Sequence, residues 1–102
     1  MRYVEHRQSS TELIDYGWTW ADYWSDADTI VSSSWAVSAY SDDDVGDLPT
    51  IDAQTNDATS TTVWVAGGTR DAWIINSVTT AAGRTAERAF LLRAIAHKRE
   101  RI

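Results

Sequence analysis

Four aspartates crowd into Asp42–Asp47, Gly67 adjoins Gly68, and hydroxyls cluster at Ser9–Ser10 and Ser32–Ser34. Such residues can hold a hard cation, cradle a phosphate or attack a carbonyl, so their spacing decides which chemistry is open. A calcium loop needs oxygens at fixed intervals around a central glycine, closed by a glutamate. Neither Asp26 with Asp28 nor Asp42, Asp43, Asp44 and Asp47 keeps that pattern. A phosphate loop needs GxGxxG between a strand and a helix, or GxxxxGK[ST]. Gly67–Gly68 runs instead into TRDAWII, a strand-like stretch without the lysine. No serine sits in GxSxG, and the two histidines, His6 and His97, lie in polar terminal segments. The acids therefore read as a solvated loop and the glycines as turns, with no catalytic residue, metal or cofactor expected.

The six tryptophans are the compositional outlier. A small domain buries only a few indoles while satisfying each ring N–H. Trp18 and Trp20 fall on one strand face, so both point inward or both outward. Trp35 reads as core. Trp64 alternates with Val63 and Val65, and Trp73 with Ile74; if the aliphatic residues face inward, both indoles face out. Trp64, Trp73 and nearby Arg70 are accordingly the candidate contact surface, since exposed aromatics and arginine favour protein interfaces. An exposed indole also stacks on sugars, which keeps a glycan-binding module as the alternative.

These side chains need strands to position them. Leu13–Trp20 reads as a short strand running into a turn over Ala21–Asp28, and TIVSSSWAVSAY as a strand with an irregularity between Ile30, Trp35 and Val37. SDDDVGDLPT, holding Gly46 and the only proline, is the plainest break. A short strand near Ile51–Ala53, the polar turn QTNDATS and the strand TTVWVA follow. GGTRD is a loop in which glycine supplies backbone angles other residues resist. Ala72–Thr80, a tight turn at Gly83 and Thr85–Ile95 complete the pattern, with a helix over LLRAIAHKRERI as a competing reading. Short strands without βαβ alternation predict an antiparallel β-sandwich. Residues 1–11 read as a flexible polar arm, 12–96 as the sandwich and 97–102 as a basic tail. The expected core is Ile30, Trp35, Val37, Val63, Val65, Ile74, Val78, Phe90 and Leu92. Asn76 shares the phase of Ile74 and Val78, so its amide should be buried and hydrogen-bonded, a structural role.

Composition sets outer bounds. Hydrophobic content of 43% with 24% charged residues is that of an ordinary folded domain. No apolar run reaches the roughly 18 residues of a membrane span, and the start lacks a signal-peptide core. The absence of cysteine suits a reducing cytoplasm. The net charge of −6 argues against nucleic-acid binding, which rests on neutralising phosphates. That charge is uneven: residues 1–59 hold twelve acids against two arginines, and residues 60–102 three acids against seven Lys/Arg. Either two sheets differ in charge, or copies dock acidic face to basic face.

Two blocks carry a resemblance. The first is a Trp-rich turn followed by Asp28–Ile30, Ser32, Ser33 and Trp35. The second is Thr62–Thr69, then Asn76 with Val78–Thr80, then Gly83–Arg88. Together, over roughly residues 12–95, they resemble a family of small tailed-bacteriophage virion proteins labelled fibre–tail adaptors. Ala72 stands where that pattern has an aromatic residue, with Trp73 beside it. The resemblance implies an immunoglobulin-like or fibronectin-type sandwich without the disulfide. It also implies a phage or prophage virion building block of the tail, neck or baseplate, made in the host bacterial cytoplasm. Its partners would be other virion proteins and further copies of itself, without nucleic acid or membrane.

Overall fold

Alternation of buried and half-exposed residues is strict along Ala72–Thr80, where every even-numbered side chain from Ala72 to Thr80 points inward. The same period of two, with β-branched and aromatic residues, generates the other strands. The computed structural model describes residues 4–21, 23–24, 26–43 and 45–95. In chain order the strands are β1 (Val4–Ser9), β2 (Leu13–Thr19), β3 (Ile30–Ala39), β4 (Thr50–Asn56), β5 (Ser60–Ala66), β6 (Ala72–Thr80) and β7 (Thr85–Ile95). One sheet has the order β1-β7-β6-β3 and the other β2-β5-β4. The fold is all-β, two sheets packed as a sandwich. With β2, β5 and β4 on one sheet, β3, β6 and β7 on the other and a buried Trp35 on β3, the order is compatible with an immunoglobulin-like arrangement.

Between the sheets lie two apolar clusters. Trp35, Val63, Val65, Ile74, Phe90 and Leu92 form the larger one, with Tyr16, Trp18, Val37 and Ile51 packed against it. Trp20, Ile30 and Val78 form the other, at the end bearing the Trp-rich turn. Val37 is therefore half-buried rather than a full core member, while Trp20, absent from the expected core, is 0% exposed. The irregularity in β3 is a register shift between Ile30 and Ser32 that turns Val31 out to solvent. A second shift, between Ile51 and Ala53, lies in β4, which runs to Asn56 and is longer than the expected Ile51–Ala53. Asp57 closes the β4–β5 hairpin by accepting the amides of Thr59 and Ser60 at 2.9 and 2.8 Å. Those bonds, the Thr59 amide foremost, hold its carboxyl below the usual value.

The reading of residues 1–11 as a flexible arm needs correction. Val4–Ser9 is a strand, parallel to β7 and paired from Val4 with Phe90 to Ser9 with Ile95. Polarity misled because the buried members of β1, Gln8 and Ser9, are themselves polar. Gln8 donates through Nε2 to the carbonyls of Glu12 and Val65, both at 2.8 Å, and its Oε1 accepts from the Tyr16 hydroxyl at 2.7 Å. The amide thus ties β1 of one sheet to β2 and β5 of the other. Burial, with Glu12 and Asp15 nearby, pushes the Tyr16 phenol up to about 12. His6 is drawn in too, its ring 4.8 Å from Tyr16 and 5.0 Å from Phe90. At the other terminus the strand reaches Ile95; the competing helix and the basic tail at 97–102 otherwise lie outside the described residues.

Gly67 and Gly68 connect β5 to β6, hence one sheet to the other, and are not a hairpin turn. Neither has a positive φ, unlike Gly46 and Gly83. They are required by close approach: a Cβ on Gly67 would strike the Ser9 carbonyl, and one on Gly68 the backbone of Asp47–Pro49.

Replacing Gln8 with alanine leaves the Glu12 and Val65 carbonyls and the Tyr16 hydroxyl without this partner. The expected cost is about 1–3 kcal/mol, read as a lowered urea midpoint. A midpoint equal to that of the unmodified chain would show that β1 is not held by this amide.

Candidate interface surfaces

Between the sheets, Asn76 organises a second polar junction. Its amide is fully buried on β6. Nδ2 donates to the Ser33 hydroxyl and the Ser34 carbonyl of β3, both at 3.0 Å. Oδ1 accepts from the Thr61 hydroxyl of β5 at 2.7 Å and from the Trp20 indole at 3.1 Å. Both donors and the acceptor are used, with partners from both sheets. Sequence phase placed Asn76 inside; it did not point to Trp20 or Thr61, whose polar atoms only the fold brings together.

The Trp-rich turn is clamped from the opposite end of the chain. Trp20 stacks on Trp24 at 5.7 Å, and Tyr23 meets both rings edge-on at 4.8 Å. Arg88 of β7 lies 4.0 Å over Trp18 and 5.3 Å from Trp20, and reaches the Thr19 carbonyl at 3.3 Å. Arg84 forks onto Asp26 at 2.8 and 3.1 Å and reaches Asp28 at 2.8 Å. Asp28 also accepts the amides of Thr29 and Ala82. Its carboxyl is held below the usual range by the Thr80 hydroxyl first, then by those amides and Arg84, against the penalty of burial. Asp26 is lowered too, chiefly by its bond to Arg84. Arg84 and Arg88 do not stand out in the sequence as site residues, and Asp26 and Asp28 read there only as solvated loop acids. Their pairing is not legible there, although each arginine sits in Gly83–Arg88 and Asp28 opens the other motif block.

The expected contact residues do not share one surface. Trp64 is 39% exposed on the outer face of the β2-β5-β4 sheet, between Asp15 and Ala53 in register. Trp73 lies on the outer face of the other sheet, half-buried, its ring 5.8 Å from the exposed Tyr40. Ala72 takes the buried position, so Trp73 does not substitute for an aromatic residue there. Arg70 sits in the β5–β6 connection, where Nη2 donates to the Ser41 carbonyl at 2.9 Å and fastens the β3–β4 loop. Nor does the charge split of the chain map onto its two halves as separate faces. Arg84 pairs with Asp26 and Asp28, and Arg93 reaches Glu5 at 3.9 Å, folding the basic half onto the acidic one, while Arg93 also pairs within its own half with Asp71 at 3.0 Å. Among the described residues no group of three or more His, Asp or Glu could hold a metal ion. The open depression beside Ser32–Ser34, Ser77 and Thr85 is lined mainly by hydroxyls and small side chains.

Two substitutions separate the contributions of amide and charge. Asn76→Ala should destabilise by about 1–3 kcal/mol, since it strands the Thr61 hydroxyl donor and leaves the Trp20 indole only the Thr61 hydroxyl at 3.3 Å; an unaltered melting midpoint would contradict the junction. For Asp28 the folded pKa is depressed, so its stabilisation is complete above the ordinary carboxylate pKa and fades as pH falls through the depressed value. Asp28→Asn should therefore weaken the fold at neutral pH, and the gap to the unmodified chain should close on acidification. A gap independent of pH would rule out the charge as its source.

Comparison with known proteins fits this construction. No curated protein matches the chain. A family model, podophage GP4 fiber-tail adaptor protein gp77, matches residues 8–93. The match runs from the buried amide of Gln8 to near the end of β7 and includes both blocks joined by Arg84 and Arg88. The chain belongs to the family of podophage GP4 fiber-tail adaptor protein gp77, and so to the tailed-phage fibre–tail adaptors.

Proposed function

We propose that this chain is a non-enzymatic virion part that joins fibre to tail through protein–protein contacts, after synthesis in the host bacterial cytoplasm. The family match over residues 8–93 carries the reading. The physical design supports it: the buried polar side chains are spent on structure. Thr61 donates to Asn76, Gln8 is held by the Glu12 and Val65 carbonyls and the Tyr16 hydroxyl, and Asp26 and Asp28 are engaged by Arg84. What the surface offers is apolar and aromatic area, in Trp64, Leu13, Tyr23 and Tyr40. Further copies of the chain are a second class of partner in this reading, and nucleic acid is not one.

A sugar-stacking role is the other reading, favoured by the accessible Trp64 indole alone. Particles purified from a phage lacking this gene decide between them. The adaptor reading expects tails assembled without fibres, with the chain present in wild-type particles by mass spectrometry. Fully fibred particles from the deletion strain, or glycan binding abolished by Trp64→Ala in a chain absent from virions, would overturn it.

A further inference from the structure

Charge is segregated between the sheets in a way the sequence order hides. The strands β2, β4 and β5 carry two charged side chains, Asp15 and Asp52, both acidic and both exposed. Every described arginine lies elsewhere, on β1, β7 or the connections flanking β6. In the middle of this acidic face stands Trp64. Its cross-strand neighbours are Asp15 and Ala53, and its neighbours along β5 on the same face are Thr62 and Ala66. All are shorter than an indole, and Gly17, opposite Thr62, adds no side chain at all. Toward the rim Leu13 is 52% exposed. The indole therefore rises above a floor of small residues, with a carboxylate directly beside it.

We infer that this face docks a basic segment of a different virion protein, with an arginine laid on Trp64 and paired to Asp15. The inference rests on the adaptor reading and names the chemistry of its contact. A guanidinium suits both halves of the site, because it stacks on an indole while presenting a fork to a carboxylate. The chain uses the same geometry internally, where Arg88 lies 4.0 Å over Trp18. Among the described residues, Arg70, Arg84, Arg88 and Arg93 are each engaged within their own fold and Arg7 faces Glu5 at 3.8 Å, which disfavours the sandwich of a second copy as the occupant. The acidic floor also steers a basic partner from solution and repels another copy's matching face.

The test uses particles complemented with the full chain. The Asp15→Lys/Asp52→Lys double variant and Trp64→Ala should each reduce the chain recovered per particle by about tenfold or more, whereas Ser34→Lys on the opposite face should not. Asp15→Asn/Asp52→Asn, which introduces no repulsion, should fall between, and the melting midpoints of the purified variants separate docking from folding. A photoreactive benzoylphenylalanine replacing Trp64 should cross-link, in assembled particles, to an arginine-containing segment of another virion protein. Normal incorporation of the lysine variants, or a cross-link to another copy or to a segment without basic residues, overturns the inference. Charge-insensitive binding of an oligosaccharide at Trp64 does so as well. Absence of the unmodified chain from particles would instead refute the adaptor reading itself.

Discussion

A primary amide taken out of water must have its donors and its acceptor met, and Asn76 meets them only if both sheets are in place. Its Nδ2 needs Ser33 and Ser34 of β3, and its Oδ1 needs Thr61 of β5 and Trp20 at the end of β2. An apolar core tolerates sliding, since burial given up at one register is partly regained at the next. A hydrogen-bonded amide does not. Asn76 therefore fixes how the sheets sit on one another and, through Trp20, where the chain leaves β2 to begin the Trp-rich turn. Gln8 performs the same service at the other end of the sandwich, binding β1 to β2 and β5. The two clusters of apolar side chains supply the burial around these amides.

The turn that follows Trp20 has little regular structure to hold it, yet it carries the largest aromatic concentration in the chain. It is held by β7 and the connection that precedes it. Arg88 covers Trp18 and Trp20, and Arg84 gathers Asp26 and Asp28. The fork geometry at Asp26 and the amides converging on Asp28 make this more than a pair of surface ion contacts, which on their own contribute little. The two motif blocks are thus two halves of one structural device.

With the buried polar side chains committed to structure, the two outer faces are left to differ. One is acidic and bears an accessible tryptophan over small neighbours. The other bears Trp73 beside Tyr40, hydroxyls of β3 and β6, and arginines of β7 that are largely paired. Such asymmetry lets the two faces admit different surfaces, the acidic one repelling acidic patches.

Strand positions and their inward phase were legible in the sequence because they are local properties. A period of two, glycine and acidic punctuation, and β-branched content mark β3, β5, β6 and β7, and that phase alone placed Val63, Val65, Ile74 and Asn76 inside and Trp64 outside. What depends on partners far along the chain was not legible. β1 looked like a loose arm because its inward residue is glutamine, acceptable in a core only where the Glu12 and Val65 carbonyls and the Tyr16 hydroxyl await it. Gly67 and Gly68 looked like turn residues, but the backbones of Ser9 and Asp47–Pro49 are what exclude a side chain there. Arg84 meets Asp26 across 58 positions, a separation no local pattern records. Alternation is written residue by residue; hydrogen-bond satisfaction and close approach belong to pairs that only folding creates.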